Sequence, residues 1–472
     1  MRKVTGLIQI IALALVIALS GCSTESTVQV HYVSVADTTV VTPNPIRHQT
    51  VTTKSIQTND TTLEITVHAD QVICENLTGI GGAFNEQGGE AFMRLPQAER
   101  DELATALFNA EKGSGFSLCR TAIGSSDFGL GAYSYSEVPE DYEMKHFSID
   151  RDKKSVIPFM QAALKHNPNM KFFASPWSPP GWMKKSGIMD AGDQDKPNNT
   201  LIPTPEIYKA YALYLAKYFA AYADEGVKIQ RLVVQNEPDI DTKYPSCNMS
   251  PEQMLELSFD YIQPAFDEAG VEAEIWAGTF RGHRKDAISF IALPGADNIG
   301  GIGVQYTPAE QIVEVVANDY KVMHTEGICH RARNNFKEAR SRFPEVAGYM
   351  NAGTENFCYW NIALNEESKS GWDWPQNSLV RIDRNAGKVI YNPDFLPMAL
   401  LGRYIRPGNK TLKVDCEQAA MAIKNDKGIT VFVQNEKSTP ITAEINVGEQ
   451  KIALDLPAMA LCAVEVVQDK EQ

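Results

Sequence analysis

Positive charge is scarce in this chain: 44 Lys and Arg stand against 59 Asp and Glu in 472 residues, a formal net charge of −15. Such a surface repels polyanions, which excludes nucleic acid as a partner. Long apolar runs are almost absent too. After Leu7–Leu19, thirteen residues interrupted only by Gln9, no second stretch resembles the roughly 20 apolar residues of a membrane-spanning helix. The eight cysteines never form a Cys-x-x-Cys pair, which argues against a zinc ribbon or a thioredoxin-type centre. Internal repeats are also missing. What is present, 43% hydrophobic and 22% charged residues, is a globular composition, and the length suits one large domain with a smaller companion.

The apolar run follows Met1-Arg2-Lys3 and is too short to span a bilayer, the pattern of a secretory signal. It ends in Leu19-Ser20-Gly21-Cys22, which resembles the lipobox of bacterial lipoproteins: residues 1–21 are removed and Cys22 is acylated. Ser23, where Asp would retain the protein at the inner membrane, favours sorting to the outer membrane. The expected location is therefore the bacterial cell envelope, lipid-anchored. Cleavage removes Arg2 and Lys3, so a basic patch is not what holds the protein at the membrane. With Cys22 set aside the remaining cysteines are odd in number, which requires at least one free thiol; Cys119 and Cys358 sit in apolar runs and read as small buried hydrophobes.

Residues 22–58, rich in Thr, Val and Ser with Pro43 and Pro45, read as a tether. Residues 59–76 carry the alternation Leu63, Ile65, Val67 of a half-buried strand. Between 77 and 396, eight apolar runs alternate with helical patterns: Leu77–Phe84, Ser117–Gly124, Lys171–Trp177, Arg231–Pro238, Glu272–Thr279, Gly300–Tyr306, Tyr320–Gly327 and Thr354–Leu364. Eight β/α units of this length predict a closed (β/α)₈ TIM barrel. From 397 to 472 short alternating strands return, too few to form a β-sandwich alone. The strands near the start complete it, so the fold class is α/β: a barrel with a side β-sandwich built from both chain ends.

Barrel chemistry sits at the C-terminal ends of the strands. Gln235-Asn236-Glu237-Pro238 and His324-Thr325-Glu326-Gly327 put one carboxyl at each of two such ends. Two carboxyls on one rim are what glycoside hydrolysis needs, one to protonate the leaving oxygen and one to attack the anomeric carbon or activate water. Trp177, Trp182 and Tyr359-Trp360-Asn361 bring ring faces to the same rim, where sugars stack.

At this point the chain resembles glycoside hydrolase family 30. The resemblance is carried by Gly79-Ile80-Gly81-Gly82-Ala83-Phe84, Arg120 with Ser126-Asp127-Phe128, Ala174-Ser175-Pro176-Trp177, Gln235-Asn236-Glu237-Pro238, Thr325-Glu326 and Trp360-Asn361-Ile362-Ala363-Leu364-Asn365, in family order. It implies that Glu237 is the acid/base and Glu326 the nucleophile of a retaining enzyme, with the carboxyls about 5–5.5 Å apart. It further implies that Arg120 keeps Glu326 charged and that Asn236 binds the sugar 2-hydroxyl. Asp127, Trp177, Trp360 and Asn377 would surround the non-reducing sugar, an exo-acting arrangement. Where the family's glucosylceramidase branch has His-Trp-Tyr this chain has Gln305-Tyr306-Thr307, so Gln305 is expected to contact substrate differently. Glu86, Gln87, Trp182, Arg281 and His283 are placed on the rim without roles. No cofactor is implied, and His324, Cys329 and His330 beside Glu326 do not call for a metal. The expected substrate is a β-linked glucoside or glucan; a β-1,6-glucanase, β-xylosidase or β-fucosidase, or a non-catalytic glycan-binding lipoprotein, are the alternatives.

Overall fold

Eight parallel strands form the centre of the molecule: β1 (Gly79–Phe84), β2 (Leu118–Ile123), β3 (Lys171–Pro176), β4 (Arg231–Val233), β5 (Glu274–Arg281), β6 (Ile302–Gln305), β7 (Val322–Glu326) and β8 (Asn356–Asn361). They pair in the order β7-β6-β5-β4-β3-β2-β1-β8. The Glu355 N–H donates to Val322 O at 2.9 Å and the Gly327 N–H to Cys358 O at 2.8 Å, which closes the ends into a barrel. All eight expected runs are strands. They read as near-continuous apolar stretches because both faces are covered, one by helices and one by the barrel interior, where Leu118, Phe173, Val233, Trp276, Met323 and Cys358 pack together. The coordinates are those of a computed structural model, which describes residues 27–54, 62–190, 198–329 and 331–466. The expected signal peptide and Cys22 lie outside the described residues.

Helices follow the strands, and two show why their sequences behave as they do. In Pro205–Asp224, Thr204 caps the N-terminus and Pro205 occupies the first turn, where its missing N–H costs nothing. Tyr211, Tyr214, Tyr218 and Tyr222, at spacings of three and four, form its buried face. The stretch 251–269 reads as one helix but is α-helical only over Pro251–Glu256 and Gln263–Ala269, with a π-helical turn between. Pro264 has no N–H for the α ladder, and the widened turn takes up the mismatch.

The second domain is one nine-stranded sheet in the order Gln450–Leu456, Ile441–Val447, Leu63–Cys74, Lys410–Cys416, Ala420–Asn425, Gly428–Asn435, Ala460–Val466, Thr27–Ser34, Arg47–Thr52. It curls so far that its ends meet: the Lys54 N–H donates to Ala453 O at 2.8 Å. One apolar core fills the space inside, with Val30, Ile65, Val431, Ile445 and Val464 among its fully buried residues. One pair, Ile441–Val447 beside Leu63–Cys74, is parallel and the others antiparallel.

Two sequence boundaries need correction. The expected tether contains two strands, Thr27–Ser34 and Arg47–Thr52. Val28 and Val30 face the sheet's own core there and Val33 packs against the barrel core, a pattern hidden among Thr and Ser, of which Thr is itself a good strand residue. The boundary at 396/397 falls inside a helix, Phe395–Tyr404, that packs on the barrel, and the sheet resumes only at Lys410. Pro397 sits in that helix's first turn and starts it rather than breaking it.

Candidate active site

The C-terminal strand ends surround a cavity of about 400 Å³. Asp127, Trp177, Asn236, Glu237, Tyr306 and Glu326 line its inner part, and Ile240, Tyr244, Arg281, His283, Ile328, Trp374 and Gln376 the rest. Both glutamates therefore reach one space from opposite sides of the barrel, at the ends of β4 and β7.

Arg120, fully buried at 0% exposure on β2, organises the inner half. All five of its N–H groups are used. Nε and Nη2 donate to Ser175 Oγ at 3.1 and 2.7 Å, Nη2 also to Asn236 Oδ1 at 2.7 Å, and Nη1 to Glu326 Oε2 at 2.7 Å and Thr325 O at 3.2 Å. Its guanidinium carbon lies 4.5 Å from the centre of the Trp177 ring and 5.3 Å from that of Trp360. Because Asn236 Oδ1 accepts from Arg120 and from Thr279 Oγ1 at 3.1 Å, its amide N–H₂ is left to donate into the cavity.

The two glutamates have different surroundings. Glu326 receives the Arg120 ion pair on one oxygen and the Tyr306 hydroxyl, at 2.5 Å, on the other. Burial raises its carboxyl pKa, and Arg120 and Tyr306 oppose the rise by stabilising the charge. Glu237 has only the Gln305 Nε2 hydrogen bond at 3.2 Å, with Arg281 Nε at 3.8 Å, inside ion-pair range but beyond a hydrogen bond. Burial, then the negative charge of Glu326, push Glu237 up to about 7. Asp127, buried and close to both, is raised well above the usual carboxylate range, first by burial and then by Glu326 and Glu237.

Backbone strain marks the same spots. Glu237 has φ +42° and Tyr306 φ +53°, left-handed conformations that cost a side chain with a Cβ about 1–3 kcal/mol each. The turn after β4 swings the Glu237 side chain inward, and the Glu237 N–H donates to Thr279 Oγ1 at 3.3 Å. The strain at Tyr306 accompanies the placing of its hydroxyl on Glu326.

Other residues sit differently from their expected places. Gln305 is fully buried and does not line the cavity; its Oε1 accepts from Thr325 Oγ1 at 2.9 Å while its Nε2 serves Glu237. Trp360 stacks on Trp177, with ring centres 5.1 Å apart, and supports it from outside the lining. Asn377 turns towards Asp394, 3.5 Å away, and its neighbour Gln376 takes the cavity position. Of the unassigned rim residues, Arg281 and His283 line the cavity. Glu86 instead pairs with Arg151 at 2.6 Å, and the Trp182 Nε1–H donates to Ser136 O at 3.0 Å. Tyr306, Tyr244 and Trp374 went unassigned in the sequence. The Trp372-Asp373-Trp374-Pro375 run carried the usable signal, two aromatics close together in a loop. His324 is a buried, neutral core residue: its Nδ1 accepts the Cys358 N–H at 3.2 Å, and burial and Arg120 hold its pKa well below the ordinary value.

Residues 77–269 match the family model of the glycosyl hydrolase family 30 TIM-barrel domain. Over those residues, which hold β1 to β4, the chain is a family 30 glycosyl hydrolase domain. Putative glucosylceramidase 3 of Caenorhabditis elegans is 25% identical over 439 residues, 85% of this chain and 81% of that protein, a span long enough to take in both Glu237 and Glu326. An endo-1,6-beta-D-glucanase of Trichoderma harzianum is 30% identical over 236 residues, 48% of each chain. The fold is similar to that of SrfJ from Salmonella typhimurium, with a TM-score of 0.82 at 23% identity over 94% of this chain and all of that one. The match over 77–269 implies glycoside hydrolase activity.

Proposed function

We propose that this family 30 enzyme hydrolyses β-glucosidic bonds with retention, releasing glucose from the non-reducing end. The observation that carries the reading is the unequal treatment of two carboxyls in one cavity. Glu326, ion-paired to Arg120 at 2.7 Å and bonded to Tyr306, is equipped to attack as an anion. Glu237, held at about 7, keeps a proton for the leaving oxygen at neutral pH. In the first step Glu326 bonds to the anomeric carbon as the glycosidic C–O bond breaks and Glu237 protonates the departing oxygen. In the second, Glu237 takes a proton from water, which displaces Glu326 and restores both groups. The Asn236 amide is placed to bind the 2-hydroxyl. Asp127, at the inner end beside Trp177, would grip distal hydroxyls and block a continuing chain, which favours exo action.

Relatives named for glucosylceramide and for β-1,6-glucan share the β-glucosidic bond, which supports that bond as the target. The net charge of −15 suits neutral sugars. We also propose anchoring in the cell envelope through Cys22; Cys22→Ala should move the protein from the membrane to the soluble fraction.

The deciding experiment is an NMR-followed hydrolysis panel of aryl β-glucoside, β-xyloside, β-galactoside and β-fucoside beside a β-1,6-glucan. The expected result is β-glucose as the first-formed anomer, with turnover lowered at least about a thousandfold by Glu326→Gln. Oligosaccharides from the glucan with aryl glucosides untouched would reject exo action. Turnover persisting in Glu326→Gln would reject the nucleophile.

A further inference from the structure

A second cavity, of about 450 Å³, opens on the other side of the Glu237–Pro238 turn. The two cavities share walls: Glu237 and Ile240 face the first and Pro238 the second, while Arg281 and His283 face the first and Arg284 and Asp286 the second. With Glu237 as the acid, the leaving group departs on this side. We infer that the second cavity is a distal leaving-group subsite that takes a neutral hexose unit of an oligosaccharide aglycone; the inference rests on Glu237 being the proton donor.

The chemistry of the lining selects a polyol. The Asn248 amide gives one N–H to Asp241 Oδ1 at 2.6 Å, and a carboxylate can only accept, so its second N–H and its oxygen remain for a ligand. Gln253 gives one N–H to Tyr208 Oη at 2.8 Å and keeps its second N–H and its oxygen. Two amides with donors and acceptors to spare on one cavity suit hydroxyls, which both donate and accept. Charge is balanced, because Arg284 Nη2 is 3.0 Å from Asp286 Oδ2, so nothing in the lining favours an ionic ligand. Pro238, Met249 and Pro251 supply apolar surface for the C–H faces of a pyranose. Arg284 Nη2 also donates to Pro238 O at 3.4 Å, which ties this wall to the turn that carries Glu237.

Ladders of β-1,6- and β-1,3-linked gluco-oligosaccharides from two to five units test this, with an aryl β-glucoside, too short to reach the second cavity, as reference. For at least one ladder kcat/KM should rise about tenfold beyond the disaccharide. Gln253→Leu should abolish the rise and leave aryl glucoside kinetics unchanged, which also reports that the variant folds. Aryl glucoside turnover with flat ladders overturns the subsite alone. If no glucoside is turned over, the reading of Glu237 and Glu326 fails, and calorimetric titration of the same ladders into Glu326→Gln protein decides the subsite separately. Affinity that rises with length and is flattened by Gln253→Leu supports it, and length-independent affinity or no binding overturns it.

Discussion

At the scale of single residues, the site works by giving two like groups unlike neighbours. Glu237 must be protonated to act, so kcat/KM should fall as pH rises through about 7. Arg281 favours the charged form of Glu237, so Arg281→Gln should raise the Glu237 pKa and move that limb to higher pH, read from a pH–rate profile. Stability carries the same signature. A carboxyl raised from 4.5 to about 7 in the folded state destabilises the fold once it is ionised there, above about pH 7, and has no such effect below about 4.5. Glu237→Gln should therefore melt above the parent protein at pH 8, with a gap that closes as the pH falls towards 4.5. Sequence could identify Glu237 and Glu326, because a carboxyl where an apolar run stops stands out. It could not tell Asn377 from Gln376 or lining from support at Trp360, since a one-residue difference in facing is set by loop geometry that has no period.

At the scale of elements, the long connection after β2 carries Asp127 and is held by a buried carboxylate. Asp152 accepts the hydroxyls of Tyr133 at 2.6 Å, Tyr135 at 2.6 Å and Tyr222 at 2.5 Å, the last from the helix Pro205–Asp224. Asp152→Ala would leave three buried phenols without an acceptor and should cost about 3 kcal/mol or more in chemical denaturation. KM for aryl glucoside should rise in the same variant, because the connection that presents Asp127 loosens. All eight barrel strands were legible from the sequence, since burial on both faces leaves an unbroken apolar run. The strands Thr27–Ser34 and Arg47–Thr52 were not, because half-exposed strands rich in Thr and Ser look like linker in composition. Only their pairing partners, hundreds of residues away, make strands of them.

At the scale of the whole molecule, the seven cysteines among the described residues are all free. Burial pushes the Cys119 thiol up to about 12, which removes the reactive thiolate at ordinary pH. The melting temperature should therefore not change on adding dithiothreitol. Deleting residues 22–54 would strip two strands from the curled sheet and uncover one side of Ala460–Val466, so the truncated protein should melt lower and aggregate on heating. The pairing of Gln29 with Glu465 also sets a timetable. Apart from the β1–β8 pair, where Gly79 meets Asn356, barrel strands find their neighbours within some tens of residues, whereas more than 400 separate these two partners. At about 5–20 residues per second of synthesis, the first described strand waits on the order of tens of seconds for its mate. A chain cut short before Ala460 keeps Val28 and Val30 uncovered at its opposite end, so any truncated product is marked as unfinished and open to proteolysis at both ends at once.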